Sequence, residues 1–235
     1  MSTSGQGWTS VVLFAVVLVL TTLLCRPYPA AGTSGPRGPL GRAPGPRGPL
    51  GRAPRVAVVL WLVVAVPSLL QIVFPAALEA LERDPARIRD HQWWRIVTSA
   101  TVQDGGLLGT VVSLAVLAWV APLAVLVWGG LRAVLLFAAG QIIFGLFTAF
   151  VFPSSGAGPS GATLALAASV AGLVVMQSPE RRDLAMSIGV LVSGVALVAV
   201  DDAHGLAVLT GVLLGAALAT VSPPPGYLVG AARPL

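Results

Sequence analysis

The sequence predicts an all-α fold: a polytopic membrane helix bundle with a six-helix core and one additional N-terminal transmembrane helix. Three observations carry that expectation. Only 10% of the 235 residues are charged, 56% are hydrophobic and the mean hydropathy is +0.88, whereas a soluble domain carries about 25% charged residues. Seven apolar segments approach the roughly 20 residues that a helix needs to cross a hydrocarbon layer. They lie at about 9–25, 56–78, 107–128, 131–152, 158–178, 184–200 and 203–221. Together these spans fill most of the chain, which leaves no room for a separate soluble domain.

The N-terminal unit, residues 1–25, opens with "MSTSGQGWTS", which has no positive charge. A cleaved signal peptide needs a basic leader, so this span is expected to be a retained helix. Cys25 is expected to be an ordinary helix-end residue, and as the single cysteine it excludes an intrachain disulfide. Residues 26–55 contain the decapeptide GPRGPLGRAP twice in tandem, at 35–44 and 45–54. Its proline and glycine content opposes both helix and strand and predicts an extended, solvated tether. The tether lies against anionic headgroups or, as the alternative, docks a partner. Residues 56–221 form the six-helix core and 222–235 a short tail.

Topology follows from arginine, because lysine is absent and all fourteen basic residues are arginine. With the linker cytoplasmic, ten arginines fall inside and four outside, in accord with the positive-inside rule. The C-terminus is then cytoplasmic, and the loops at 79–106, 153–157 and 201–202 face outward. The net charge of +5 describes loop arginines beside the lipid bilayer, and no nucleic-acid partner is expected. Heavy use of Ala, Val, Gly and Arg without lysine suggests a GC-rich bacterial genome, hence a plasma-membrane protein.

The stretch "PSSGAGPSGATLALAAS", from Pro153, carries two glycine patterns. Gly156 to Gly161 fits G-x-G-x-x-G, but a dinucleotide site needs a preceding strand and an acidic residue about 20 positions on. Here a membrane-length helix precedes it, and the acidic residue at that distance, Glu180, sits at a turn across the membrane. No cofactor is expected. The second pattern, G-x-S-G, places Ser160 between Gly158 and Gly161 at the mouth of the fifth span. A motif this short has a high chance frequency, and a serine in an apolar helix commonly bonds back to a carbonyl.

His204 adds weight to the serine. A histidine in a membrane span is costly and by default functional, and this one opens the seventh span from the side where Ser160 opens the fifth. Ala207, Gly211 and Gly215 on one span, and Gly161, Ala165 and Ser169 on the other, make two small-residue faces on which backbones approach closely. The alternative is a structural histidine bonded to a neighbouring carbonyl. Two histidines and one cysteine on separate elements cannot supply a zinc set, so no metal is expected.

"GPSGA" opening one helix, with "AHGLAVLTGVLLG" in the next but one, resembles the rhomboid intramembrane serine proteases. The resemblance covers about 56–221 and extends to "QWWRIVTSATVQDGG", which is similar to the Trp-Arg loop after the first core helix. It implies Ser160 as nucleophile and His204 as general base of a serine endopeptidase. The implied substrates are transmembrane proteins whose helix unwinds near the outer interface. Many relatives carry H-x-x-x-N on the second core helix, where this chain has Gly109 and Ser113. Ser113 is expected to donate one oxyanion bond and the Ser160 backbone N–H another. Asp201 and Asp202 are expected to cap the last helix and solvate the rim, with orienting the His204 imidazole as the alternative, and no third catalytic member is evident. Trp93 and Trp94 are read as interfacial anchors, Arg95 as a tie within the loop, and His91 as a solvated loop residue. Two other classes remain: an inactive rhomboid-like protein that binds membrane clients, favoured by the missing His/Asn pair, and a small transporter. The latter predicts inverted repeats with broken helices and midplane charges, which the sequence lacks. Oligomeric state is left open.

Overall fold

A computed structural model describes residues 3–25, 53–178 and 180–224. Among them the chain forms α1 (Thr3–Leu24), α2 (Ala53–Val73), α3 (Ala76–Leu81), α4 (Pro85–Arg89), α5 (Arg95–Thr98), α6 (Gly106–Trp128), α7 (Gly130–Leu146), α8 (Ser160–Gln177), α9 (Arg181–Ala199) and α10 (His204–Val221). Seven of these (α1, α2, α6, α7, α8, α9 and α10) are long and apolar enough to cross a membrane. No strand occurs among the described residues, so the predicted all-α membrane bundle is the fold. Most of the tether, with its first decapeptide and nearly all of the second, and the tail from residue 225 lie outside the described residues.

Four boundaries differ from the sequence expectation, each for a local reason. Helix α2 starts at Ala53, inside the expected tether 26–55, because Pro54 falls in the first turn, where its missing N–H is not needed. It ends at Val73 rather than near 78, and Pro75 opens the separate helix α3. The fourth span closes in a π-helical turn at Phe147–Val151. Ser160 is the first residue of α8 rather than two residues into it, with Pro159 as the cap position.

Helix α8 is the hub, buried from Gly161 to Val174. Its sequence explains why: alanine, glycine and serine recur around the whole cylinder, so neighbours pack closely on every side. In lipid, helices associate by shape and dispersion rather than by hydrophobic expulsion from water. The contact with α10 is the most extensive in the fold. A Cβ on Gly211 would overlap the backbone of Ala165, one on Gly215 that of Ser169, and one on Gly172 that of Val212 and Ala216. The two small faces read from the sequence therefore meet at Ala165 and Ser169. Gly161 departs from that expectation, because its open side is filled by the Phe144 ring of α7.

Helix α1 packs along α9 and α8. A Cβ on Gly189 of α9 would lie 2.8 Å from Leu20, so these two helices also approach closely. Thr21 Oγ1 donates to the Ala167 carbonyl at 3.4 Å, and Trp119 Nε1 of α6 donates to Thr22 Oγ1 at 3.1 Å. The lipid-facing sides are apolar, with Val58, Val63, Val111 and Leu213 exposed.

Gly211→Val is expected to lower stability by about 1–3 kcal/mol or more, the cost of overpacking a close contact. Leu213→Ala, on the lipid-exposed face of the same helix, is expected to change it by less than about 0.5 kcal/mol. Thermal unfolding in detergent compares the two.

Candidate active site

Both side chains singled out from the sequence occupy the first positions of their helices, at the same end of the bundle. Ser160 opens α8 and His204 opens α10. Ser160 Oγ and His204 Nε2 are 2.8 Å apart. The N–H groups of the first turn of α8 have no acceptor within the helix, so backbone donors lie beside the hydroxyl.

The turn before α10 brings an aspartate to the imidazole. Asp201 has φ +60, a left-handed conformation that aspartate tolerates better than most residues, and the chain reverses there. Asp202 then points inward. Its Oδ1 accepts from the His204 backbone N–H at 2.9 Å and faces His204 Nδ1 at 2.7 Å. Capping was the expected role for both aspartates. Asp202 caps and also orients the imidazole, whereas Asp201 makes the turn. Burial alone would raise the Asp202 carboxyl, but hydrogen bonds from His204 and from the Ser10 side chain of α1 outweigh it and hold it down at about 2. Asp202 is thus ionised at neutral pH and only accepts. Nδ1–H then faces a carboxylate that only accepts, and in the neutral imidazole this leaves Nε2 to accept from Ser160 Oγ–H.

Aromatic rings fix the imidazole. Phe144 of α7 stacks on it at 5.5 Å between centroids, tilted 28°, and Phe14 of α1 meets it edge-on at 5.0 Å and 71°. The Arg83 guanidinium lies over the far neighbour, Phe144, at 5.2 Å. Arg83 is buried, and this burial lowers its pKa from the usual guanidinium value while the charge of Asp104 opposes the shift.

The loop at 153–159 is pinned from one side by the 74–105 segment. Arg83 and Gly156 exchange backbone hydrogen bonds of 2.9 and 3.1 Å, and Arg83 Nε donates to the Ser154 carbonyl at 3.1 Å. Ala157 N–H donates to Asp104 Oδ2 at 2.9 Å, and Gly158 N–H to the Ser99 carbonyl at 2.8 Å. Gly158 has φ +143, which only glycine adopts readily, and Gln103 Oε1 lies 3.1 Å from where its Cβ would stand. Gln103 is held in turn by Gln71, whose carboxamide bonds both its N–H and its carbonyl at 2.8 and 2.7 Å. Arg95 is buried and ties the preceding loop as expected, donating to the carbonyls of Glu79 and Glu82 at 2.9 Å each. Trp93 and Trp94 are exposed, with Trp93 stacked on Phe150 at 5.7 Å. His91 is exposed.

Gly109 and Ser113 lie half-buried on α6. A Cβ on Gly109 would meet open space, and among the described residues neither position hydrogen-bonds to Ser160 or His204. The sequence missed Ser10, Phe14, Phe144, Arg83, Asp104 and Gln103.

The folded Asp202 carboxyl lies below its ordinary 3.8, so the stability it contributes is complete above that value and is lost as pH falls towards about 2. Asp202→Asn is expected to flatten the loss of thermal stability between about pH 4 and pH 2. Asp201→Gly is expected to be tolerated, while Asp201→Val costs about 1–2 kcal/mol through the left-handed backbone; unfolding in detergent reads both. No model of a known protein family matches the chain and no curated protein matches it.

Proposed function

We propose that this protein is an intramembrane serine endopeptidase of the rhomboid type, acting on transmembrane proteins near the outer face of a bacterial plasma membrane. The carrying observation is the chain of contacts from Asp202 Oδ1 to His204 Nδ1, at 2.7 Å, and from His204 Nε2 to Ser160 Oγ, at 2.8 Å. The arginine asymmetry supports the orientation. The site shares its end of the bundle with the acid-rich 79–106 segment, and Arg132, Arg181 and Arg182 begin helices at the other end.

Ser160 Oγ attacks the scissile carbonyl carbon as its proton passes to His204 Nε2. The resulting oxyanion faces the free N–H groups that open α8, which stabilise it together with the positive end of the helix. The C–N bond breaks as Nε2 returns the proton to the leaving amine, leaving an acyl ester on Ser160. Water then adds to the ester carbonyl and gives a proton to His204. The acid product leaves as that proton returns to Ser160 Oγ. Asp202 keeps the imidazole in the correct tautomer and stabilises the imidazolium that forms twice in the cycle. The site sits at helix mouths rather than at mid-bundle, which gives the hydrolytic water a route.

A second reading, a client-binding protein that does not cleave, is favoured by Gly109 and Ser113 standing where the family likeness puts a His/Asn pair. A fluorophosphonate probe separates the two. Labelling of wild type and its loss in Ser160→Ala support the hydrolase, and an unlabelled wild type supports the binder. In cleavage of a single-pass substrate in liposomes, His204→Ala is expected to lower kcat about 10⁴–10⁶-fold. Asp202→Asn is expected to lower it about 10²–10⁴-fold.

A further inference from the structure

Helix α1 lies in a groove that the other spanning helices leave open. Helices α6 and α9 both pack on α8 but scarcely touch each other, and α1 occupies the space between them. On the α9 side, Leu20 comes within 2.8 Å of where a Cβ on Gly189 would stand. On the α6 side, Trp119 Nε1 donates to Thr22 Oγ1 at 3.1 Å. At the floor, Val17 and Leu24 share one buried cluster with Leu164, Val170 and Val174 of α8. At the end that holds Ser160, the Phe14 ring stands 5.0 Å from the His204 imidazole. The other neighbours of the pair, α7, α10 and the 153–159 loop, are fixed by close packing and hydrogen bonds. A chain arriving through lipid would therefore meet α1 before it met the serine.

We infer that the groove between α6 and α9 is the docking surface for the transmembrane helix of a substrate, and that α1 is its resident occupant, displaced before a substrate reaches Ser160. The inference rests on the endopeptidase reading above and adds its regulation. Helix α1 is the least buried of the seven spanning helices. Its seam with α6 is incompletely filled, leaving a cleft between Leu18, Thr21 and Cys25 of α1, Val120 and Ala124 of α6 and Val170 of α8. Gly189 meets only the end of the Leu20 side chain, whereas the glycines joining α8 to α10 meet backbone. Residues 25–52 link α1 to α2; at about 3.3 Å per extended residue, that chain exceeds a helix diameter of about 10 Å several times over. Helix α1 can thus leave while α2 stays. In lipid, one apolar helix replaces another of similar shape at little cost, because packing rather than expulsion from water holds them. The occupant that fits is a single apolar helix with a branched aliphatic side chain at Gly189, as Leu20 provides, and a hydroxyl opposite Trp119, as Thr22 provides. Occupation by α1 lowers the apparent affinity for substrate by the fraction of protein whose groove is open. A fluorophosphonate enters by the aqueous route of the hydrolytic water and needs no such displacement.

The test compares cleavage of a single-pass substrate with fluorophosphonate labelling of Ser160, both in full-length protein reconstituted into liposomes. In a Cys25→Ser background, Leu20→Cys and Gly189→Cys are bridged by a short bis-methanethiosulfonate reagent that a reducing agent releases. Bridging is expected to lower kcat/KM for the substrate at least about tenfold, to leave labelling within about twofold, and to be reversed by the reductant. Gly189→Leu, which pushes Leu20 out of its notch and leaves the contact of α8 with α10 alone, is expected to raise kcat/KM about threefold to tenfold with labelling within about twofold. The inference is overturned if the two cysteines fail to bridge, if bridged and released protein cleave at the same rate, or if labelling falls by the same factor as cleavage. It is equally overturned if Gly189→Leu, folded as judged by unchanged labelling, leaves cleavage unchanged or lowers it. A wild type that labels no faster than Ser160→Ala overturns the endopeptidase reading itself, and this inference with it.

Discussion

At Gly211 and Gly215 the backbone of α10 lies against the backbone of α8 at Ala165 and Ser169, with no side chain between them, and the geometry of the site is set from there. Both helices begin at the same end of the bundle. Counting back from the contact between Gly211 and Ala165, His204 is seven residues along α10 and Ser160 five along α8, or about 10.5 and 7.5 Å at the helical rise. The imidazole arm spans the remaining difference and reaches the hydroxyl at 2.8 Å. A slip of one helical turn, about 5.4 Å, would separate the pair beyond any rearrangement of side chains. Glycine is required at these positions because any Cβ there would force the helices apart.

Around that axis the surrounding elements restrict what the two side chains can do. The Phe144 ring occupies the space left open by Gly161 and stacks on His204, so one residue of α7 both packs α8 and holds the imidazole. Arg83 extends the stack and also fastens the 153–159 loop, through its own backbone and through Nε. The segment that carries Arg95, Ser99 and Asp104 thereby braces the entry to α8, although it contributes no atom to the contact between serine and histidine. Burying a polar group without a partner is costly. Ser68 donates to the Thr101 carbonyl, Gln71 to the Gln103 carbonyl and Gln103 Nε2 to Ser68 Oγ, whereas Thr163 Oγ1 and Gln141 Oε1 have no partner among the described residues.

The pair of aspartates before α10 shows how a single oxygen serves structure and chemistry together. Oδ1 of Asp202 satisfies the first N–H of the helix and the ring N–H of His204. The cap therefore also fixes which ring nitrogen faces the carboxylate. Such an arrangement needs Asp201 to turn left-handed, so the backbone conformation of one aspartate decides what the other does.

Composition and hydropathy alone determined that this is a bundle of seven membrane-length helices. The spacing of small residues identified the facing surfaces of α8 and α10, and residue type and position identified Ser160 and His204 as groups at one depth. These properties are local or periodic, and a linear sequence carries them directly. Which aspartate meets the imidazole, that Phe144 rather than α10 fills the notch at Gly161, and that Phe14 reaches the imidazole were decided only by the tertiary structure. Those contacts depend on how far each helix is rotated about its axis and on dihedral angles in two short loops, with partners from 2 to 190 positions apart in the chain. No pattern within a window of sequence encodes such rotations; they emerge when all the helices pack at once.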